Sequence, residues 1–243
     1  MLRFRSLKFA IAGFTLSCGA AVADPGYYVV TPYPEAGRTT IDLRYWTVKP
    51  DGRPEVVWPE LGIRHGFGTR WTSELLISWI GPDLQRLRTS SLNWQNDILL
   101  TQGEWPFDLA LHAQWIRDVE ADFDALEFGP VWQTDIGRTQ LNANLFFERR
   151  FGSAAGPTAM KLQYQLRHRW RPGLHLGMQG FSELGPWNDW APHARQSHRI
   201  GPALFASWPL ADGQQIDLQG AFLLGRTYTR PGHMFTMQAR WGF

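Results

Sequence analysis

Apolar and polar residues alternate through almost the whole chain from Arg38 onward. The alternation is clearest at residues 141–147 (LNANLFF) and 160–167 (MKLQYQLR). Successive side chains of a β-strand point to opposite faces, so a period of two indicates strands with one apolar and one polar face. No segment beyond the first 23 residues shows a convincing helical period. The alternation therefore predicts an all-β fold.

Twelve segments carry this pattern, which predicts twelve strands. They lie near residues 38–47, 56–66, 70–80, 87–100, 106–117, 123–134, 138–149, 158–170, 174–183, 197–208, 214–225 and 232–243. Tight turns at 66–68, 135–137 and 171–173 alternate with longer polar connectors such as 48–55, 152–157 and 184–196. An even number of strands lets the last strand pair with the first and leaves no open edge. We predict a transmembrane antiparallel up-and-down β-barrel over residues 38–243.

The two faces of these strands differ in chemistry. We assign an apolar set to the outside of the barrel, including Leu75, Leu111, Leu145, Leu166, Leu204 and Phe235. The opposite set is polar and we assign it to the lumen. It mixes Asp42, Glu60, Glu74, Asp97, Glu127 and Glu148 with Arg44, Arg64, Lys161, Arg167, Arg169 and Arg199. A membrane barrel has this arrangement, whereas a soluble barrel has the apolar face inside.

Aromatic residues favour the membrane barrel. Aromatics make up 14% of the chain and include thirteen Trp. In the predicted topology, one end of the outer face carries Trp132, Trp170, Trp208 and Trp241, and the other end carries Tyr45, Trp79, Trp115 and Phe147. Two aromatic girdles around an aliphatic band are typical of transmembrane barrels. The alternative is that these Trp fill a soluble core.

The first 23 residues have the pattern of a secretory signal peptide. Arg3, Arg5 and Lys8 precede an apolar run at 9–22, and small residues at 21–23 form an A-x-A site. In an alternative interpretation, Cys18 is the lipid-modified first residue of a lipoprotein. Cleavage after Ala23 leaves an irregular lead at 24–37, which we expect in the periplasm. The alternative is that this lead plugs the lumen.

The charge of the cleaved chain argues against a nucleic-acid partner. Residues 1–23 hold three of the 24 basic residues, so 21 remain against 22 acidic residues, a net charge of −1. Nucleic-acid-binding domains carry a strong basic surplus.

The last strand carries a family resemblance. Residues 233–243 (HMFTMQARWGF) alternate to the final residue and end on an aromatic. This segment resembles the carboxy-terminal targeting strand of Gram-negative outer-membrane β-barrel proteins. The resemblance implies passage through the periplasm, recognition of the strand ending in Phe243 by the barrel-assembly machinery, and insertion among outer-membrane lipids.

In size the chain resembles the small twelve-stranded monomeric channels, such as the oligogalacturonate- and sialic-acid-type porins. Those porins have markedly basic lumens for acidic sugars, whereas the lumen set here is mixed in charge.

The predicted lumen supplies the candidate solute-binding residues, which are Glu74, Asp97, His112, Glu127, Glu148, Lys161, Arg167 and Arg199. Their charges either pair across the wall and fill a narrow barrel, or form acidic and basic tracks that orient a solute. The leading hypothesis is a narrow channel for passive permeation of small polar solutes, with a saccharide among the candidates. The alternative is a non-conducting structural or partner-binding barrel for envelope or surface-polysaccharide assembly.

A lipid-active hydrolase is the third hypothesis. If the turn near Gly103 sets the register, His112 lies opposite Asn93 or Gln95, with Ser91 and Asp97 diagonal to it. A Ser, a His and an orienting carboxylate or amide meet the minimum for nucleophilic catalysis. However, the His-x-Ser-Asn signature of the outer-membrane phospholipase is absent, as are metal-ligand spacings and cofactor motifs.

Two further patterns lie outside the lumen set. The polar connector at 184–192 holds Trp187 and Trp190, which are expected either to stack on a sugar ring, to fold inward as a plug, or to pack within the loop. The pairs Gly129–Pro130 and Gly201–Pro202 interrupt two strands, and each predicts a bulge or bend.

Overall fold

The computed structural model describes residues 26–227 and 229–243, so the predicted signal peptide lies outside the described residues. Twelve antiparallel strands form a closed barrel in which each strand pairs with its neighbours in sequence, and the last strand pairs with the first. This confirms the predicted fold. The strands are β1 (Thr39–Pro50), β2 (Val56–Phe67), β3 (Trp71–Ile80), β4 (Arg88–Leu99), β5 (Asp108–Asp118), β6 (Phe123–Ile136), β7 (Thr139–Gly152), β8 (Ala159–Arg171), β9 (Leu174–Pro186), β10 (Ser197–Pro209), β11 (Gln215–Thr227) and β12 (Arg230–Gly242).

In the described part of the chain, helical structure is confined to two single turns of 3-10 helix, at His193–Arg195 and Ala211–Gly213. Within residues 26–227 and 229–243, no helix has the length and apolar character needed to cross a bilayer.

The carboxy-terminal strand closes the barrel against β1. Its register pairs Thr40 with Gly242 at one end and Pro50 with Gly232 at the other. Reciprocal backbone hydrogen bonds between Thr39 and Phe243 (2.9 and 3.0 Å) extend the pairing to the last residue. Because all strand edges are paired, no edge remains open to another chain.

The barrel wall has the predicted polarity. The inner face is lined by buried polar and charged residues, whereas the leucines of the outer set are exposed or half-exposed. At the aromatic girdles, Trp170 is 51% exposed and Trp208 is 49% exposed. The predicted girdle aromatics therefore do not fill a soluble core. Two other Trp do lie inside, because Trp46 and Trp58 are buried and stack with ring centroids 5.8 Å apart.

The two ends of the barrel are distinguished by the chain termini. We call the end at which β1 begins and β12 ends the terminal end, and the opposite end the loop end. The connectors do not sort by length as strictly as predicted. The terminal end has an eight-residue connector at 100–107, and the loop end has a two-residue connector at 228–229.

The two Gly–Pro pairs interrupt strand pairing without shifting its register. Between β6 and β7 the pairing skips from Phe128–Phe147 to Val131–Asn144, and the same gap occurs between β10 and β11. The predicted bulges are therefore absent at these sites. Each Gly instead allows a close approach, because a Cβ on Gly201 would lie 1.9 Å from the carbonyl oxygen of Phe222. The register shifts of the described strands lie elsewhere, near Ser78, Met160 and Arg169.

Candidate functional site

The lumen is crossed by the chain's own amino-terminal segment. We call residues 26–34 the plug segment. Its residues Tyr27, Tyr28, Val29 and Val30 are all buried. The lead that was expected in the periplasm at 24–37 therefore enters the barrel over this stretch, as in the alternative in which it plugs the lumen.

Alternate residues of the plug segment pack on opposite walls. Tyr27 and Val29 join an apolar cluster with side chains from β1, β2 and β9 to β12, among them Trp46, Trp58, Phe181, Phe205, Leu223 and Met234. Tyr28 and Val30 join a second cluster with Leu99, Ala110, Val131 and Phe146 from β4 to β7. Side chains that alternate in this way come from an extended backbone, which spans the lumen between two small apolar cores.

Hydrogen bonds hold the plug segment in place through its side-chain hydroxyls and through its backbone carbonyls. The hydroxyl of Tyr28 donates to Gln95 Oε1 (2.5 Å), and that of Tyr27 donates to Glu183 Oε1 (2.5 Å). Its backbone carbonyls accept from lumen amides, with Gln163 Nε2 3.0 Å from the oxygen of Gly26. Asn144 Nδ2 likewise lies 3.0 Å from the oxygen of Val30. The segment therefore satisfies its buried polar groups as a folded core does.

Two buried guanidinium groups lie over the rings of the plug segment. The Cζ atom of Arg44 is 3.5 Å from the centroid of the Tyr28 ring, and that of Arg199 is 4.3 Å from the Tyr27 ring. A cation over a desolvated aromatic face is attracted by about 2 kcal/mol. These contacts connect the plug segment to the ionic groups of the wall.

Arg44 is the centre of a buried acidic cluster. Its guanidinium lies 2.9 Å from Asp42, 2.7 Å from Glu74 and 3.8 Å from Glu60, and all four side chains are almost fully buried. We call these four residues the Arg44 cluster. They lie on the neighbouring strands β1, β2 and β3, where Arg44 and Glu60 are directly opposite each other.

A chain of alternating charges runs around the remaining wall from β2 to β8. Arg64 lies 3.8 Å from Asp97, and Asp97 lies 2.7 Å from Nδ1 of His112. The second ring nitrogen of His112 is 3.6 Å from Glu127. Lys161 then contacts Glu127 (2.7 Å) and Glu148 (2.5 Å), and Glu148 accepts from Arg150 (2.7 Å). We call this set the charge chain.

The candidate residues from the sequence separate into four groups. Glu74 belongs to the Arg44 cluster, and the charge chain contains Asp97, His112, Glu127, Glu148 and Lys161. Arg199 pairs with Glu183 at 2.6 Å. Arg167 makes no ion pair within the described residues and borders a cavity. The structure thus places these residues on the inner wall, and their solute-binding role remains a prediction.

Arg169, which the sequence pattern also assigned to the lumen, is exposed near the terminal end. The register of β8 and β9 shifts between Arg169 and Arg171, so the alternation of the strand is broken there.

The register of β4 and β5 overturns the proposed arrangement around His112. His112 lies opposite Asp97, and neither Asn93 nor Gln95 faces it. Ser91 lies opposite Asp118, six positions along the strand from Asp97. At about 3.3 Å per residue, Ser91 is far from His112 along the strand. The fully buried His112 instead stacks on Phe146, with ring centroids 4.4 Å apart.

A polar cavity of about 240 Å³ lies at the terminal end, which we call the vestibule. The plug segment forms part of its lining through Thr31, Tyr33 and Pro34, and Glu35 follows. The hydroxyl of Tyr33 donates to Asp108. Partial burial and this hydrogen bond raise the pKa of Tyr33 well above its usual value.

The loop that holds Trp187 and Trp190 lies at the loop end. Both side chains face solvent, at 55% and 57% exposure, so they do not plug the lumen. Backbone hydrogen bonds from Trp187 to Thr158 (3.0 Å) and from Ala191 to Leu184 (2.9 Å) hold the loop compact. Sugar stacking by this loop remains a prediction. In the described part of the chain, no group of His, Cys, Asp or Glu is arranged to hold a metal ion.

Several residues of the site were absent from the candidate set. The alternation places Arg44 in the lumen but does not show its central position. It also does not identify Tyr27, Tyr28 or Glu183 as residues of the site. The one available signal was the run of Tyr27 to Val30, an apolar and aromatic stretch directly before the first strand.

The chain matches no protein-family model and no curated protein. Solved structures share its architecture. An outer-membrane channel from Pseudomonas putida F1 aligns with a TM-score of 0.56 and 13% identity, over 91% of this chain and 99% of that one. The KdgM porin aligns with a TM-score of 0.56 and 10% identity, over 84% and 99%. A second structure of that porin, in complex with disordered oligogalacturonate, gives a TM-score of 0.52 and 9% identity over 84% and 98%. At these identities the likeness establishes a fold shared with small outer-membrane channels.

Proposed function

We propose that the protein is a narrow outer-membrane channel for small polar solutes, held closed by its own plug segment. The observation that carries this proposal is the contrast between an apolar outer face and a polar, charged inner wall within a closed barrel. The apolar outer face suits a lipid environment, and charged side chains on the inner wall are the groups that set solute preference in channels. The shared fold with outer-membrane channels supports the same function.

The plug segment explains how such a channel is closed. Tyr27 to Val30 lie between two apolar clusters, and those clusters fill the lumen between opposite walls. Solutes then pass only when this segment moves. The charge chain and the Arg44 cluster remain in the wall when it does, and they present fixed, paired charges to a solute.

The filled lumen also favours a second function, a non-conducting barrel that binds a partner in envelope or surface-polysaccharide assembly. In that case Tyr27 to Val30 act as a permanent core. The exposed Trp187 and Trp190 would then serve as contacts for a saccharide or protein partner. A flux measurement distinguishes the two functions.

We also propose that the chain reaches the outer membrane after cleavage of residues 1–23. The strand ending in Phe243 is read by the barrel-assembly machinery, and the terminal end faces the periplasm. The alternating sequence of that strand supports its recognition. Deletion of Phe243 is expected to lower the amount found in outer-membrane fractions, and an undiminished amount contradicts this assignment.

The test is swelling of liposomes that contain the refolded protein, with a neutral monosaccharide as solute. Wild-type protein is compared with a variant whose residues 26–34 are replaced by a Gly-Ser sequence of equal length. This replacement keeps the ion pair between Glu35 and Arg38 at the barrel end (3.2 Å). The channel proposal expects slow swelling for wild type and rapid swelling for the variant. No swelling from either folded protein contradicts the proposal and favours the non-conducting barrel.

A further inference from the structure

The vestibule at the terminal end contains a cation that differs from the other charged groups of the lumen. Arg167 on β8 borders this cavity together with Arg240 on β12. The other lumen cations each lie within 4.0 Å of a carboxylate, and they are Arg44, Arg64, Arg150, Lys161 and Arg199. Among the described residues, neither Arg167 nor Arg240 makes such a pair.

The cross-strand partners of Arg167 carry no charge, although the carboxylate of Asp217 acts on it from beyond 4.0 Å. These partners are Gln140 on β7 and Gly177 on β9. The guanidinium of Arg167 lies over the ring of Phe205, with Cζ 4.6 Å from the centroid. The Nε atom is buried and has no hydrogen-bond partner in the described part of the protein. A cation removed from bulk water in this way is costly unless an anion joins it.

Arg240 has two carboxylates beside it in register, Asp42 and Asp217, but neither forms an ion pair with it within 4.0 Å. Asp42 contacts Arg44 and accepts a hydrogen bond from Gln238 (2.6 Å). Asp217 accepts two bonds from the amide of Gln215, at 2.8 and 2.9 Å. The other acidic residue that lines the vestibule besides Asp217 is Glu35, which is paired with Arg38. The cavity therefore presents two guanidinium groups that have no direct ion pair, together with the carboxylates of Asp217 and Glu35.

The size and lining of the cavity restrict that occupant. A volume of about 240 Å³ is sufficient for a small molecule. Side-chain amides complete the polar wall, at Gln133, Gln140, Gln215, Gln219 and Gln238. A guanidinium group forms paired hydrogen bonds with the planar oxygens of carboxylates and with phosphate.

We propose that the vestibule binds a small oxyanion, a carboxylate or a phosphate, through Arg167 and Arg240 while the plug segment is in place. The site lies in the lumen of the proposed channel, and it deepens that function by naming an anionic class among the solutes. Binding itself does not require conduction, because plug residues form part of the cavity wall.

The experiment is isothermal titration of the refolded full chain in detergent at pH 7.5 and constant ionic strength, with inorganic phosphate and with gluconate as probes. Arg167→Gln and Arg240→Gln are each expected to weaken saturable binding about tenfold, the loss of one charge-assisted contact. Arg167→Lys keeps the charge but loses the planar fork, so we expect an intermediate affinity.

The matched control is Arg169→Gln, an exposed arginine of the same strand that does not border the vestibule. Its affinity should equal that of wild type. Equal weakening by the control, or no saturable binding of either probe to wild type, overturns the proposal. Should Arg167→Gln not fold, Arg240→Gln and Arg167→Lys still decide the outcome. Binding without solute flux would contradict the proposed channel but not this oxyanion site. Solute flux without binding would contradict the oxyanion site but not the channel.

Discussion

Arg44 shows how a single residue connects the wall of the barrel to the segment that fills it. It contacts three carboxylates and also lies over the ring of Tyr28. Buried ion pairs add little net stability when compared with apolar packing, but removing one partner leaves the others as uncompensated buried charges. The effect of losing Arg44 should therefore be large.

We expect Arg44→Met to lower the free energy of unfolding by about 3–5 kcal/mol, because three carboxylates lose their common cation. Urea titration of the refolded protein in lipid vesicles measures this change. The control is Arg86→Gln, which removes an exposed ion pair with Asp83 in the connector after β3 and should leave the transition unchanged. Equal transitions for Arg44→Met and wild type would contradict the role assigned to the Arg44 cluster.

For individual side chains, the sequence predicts which face of the strand they occupy but not which partner they contact. Period two placed Glu74, Glu127 and Lys161 on the inner face, because alternation is a property of each strand. It did not identify which charges pair, since Lys161 on β8 reaches Glu127 on β6 across an intervening strand. Such contacts depend on the curvature of the closed wall and on side-chain length.

At the level of elements, the twelve strands follow from the alternation, whereas the register of neighbouring strands depends on their connectors. His112 was expected opposite Asn93 or Gln95, on the assumption of a turn near Gly103. The actual pairs, such as Asp97–His112, place the centre of the connector between Glu104 and Trp105. Moving the centre of a hairpin by one residue slips the register by two. The connector at 100–107 is held by side-chain contacts such as that of Asp108 with the amide of Gly103 (2.8 Å), which the strand pattern does not reveal.

The Gly–Pro pairs lead to a prediction about strand packing. Gly201→Ala places a Cβ within 1.9 Å of a carbonyl oxygen on β11, so the wall must separate locally. We expect a loss of about 1–3 kcal/mol in the free energy of unfolding, as for other overpacked sites. The matched control is Gly220→Ala on β11, where the nearest atom would be 3.4 Å away.

Urea titration of both variants decides between the two interpretations of these glycines. A loss confined to Gly201→Ala supports the close approach of β10 and β11. Equal stability of the two alanine variants would show that the gap in pairing at Gly201–Pro202 tolerates a side chain.

At the scale of the whole molecule, the barrel wall encloses the two apolar clusters that contain residues of the plug segment. The sequence predicted the wall well, because lipid outside and polar groups inside impose one pattern on every strand. It left the state of the lumen open, since four residues, Tyr27 to Val30, decide that state and lie before the alternating region. Their packing on opposite walls becomes visible only when the barrel is closed.

If the plug segment closes a channel, loosening this segment must raise the conductance, which single-channel recording in a planar bilayer measures. We would compare wild type with Tyr27→Ser/Tyr28→Ser, which removes both ring contacts with Arg44 and Arg199. Tyr45→Ser, the same substitution on the outer face, is the control. We expect rare, brief openings for wild type and the control, and frequent stable conductance steps for the double variant. Silent bilayers containing folded double variant, or equal conductance in all three proteins, would contradict this expectation.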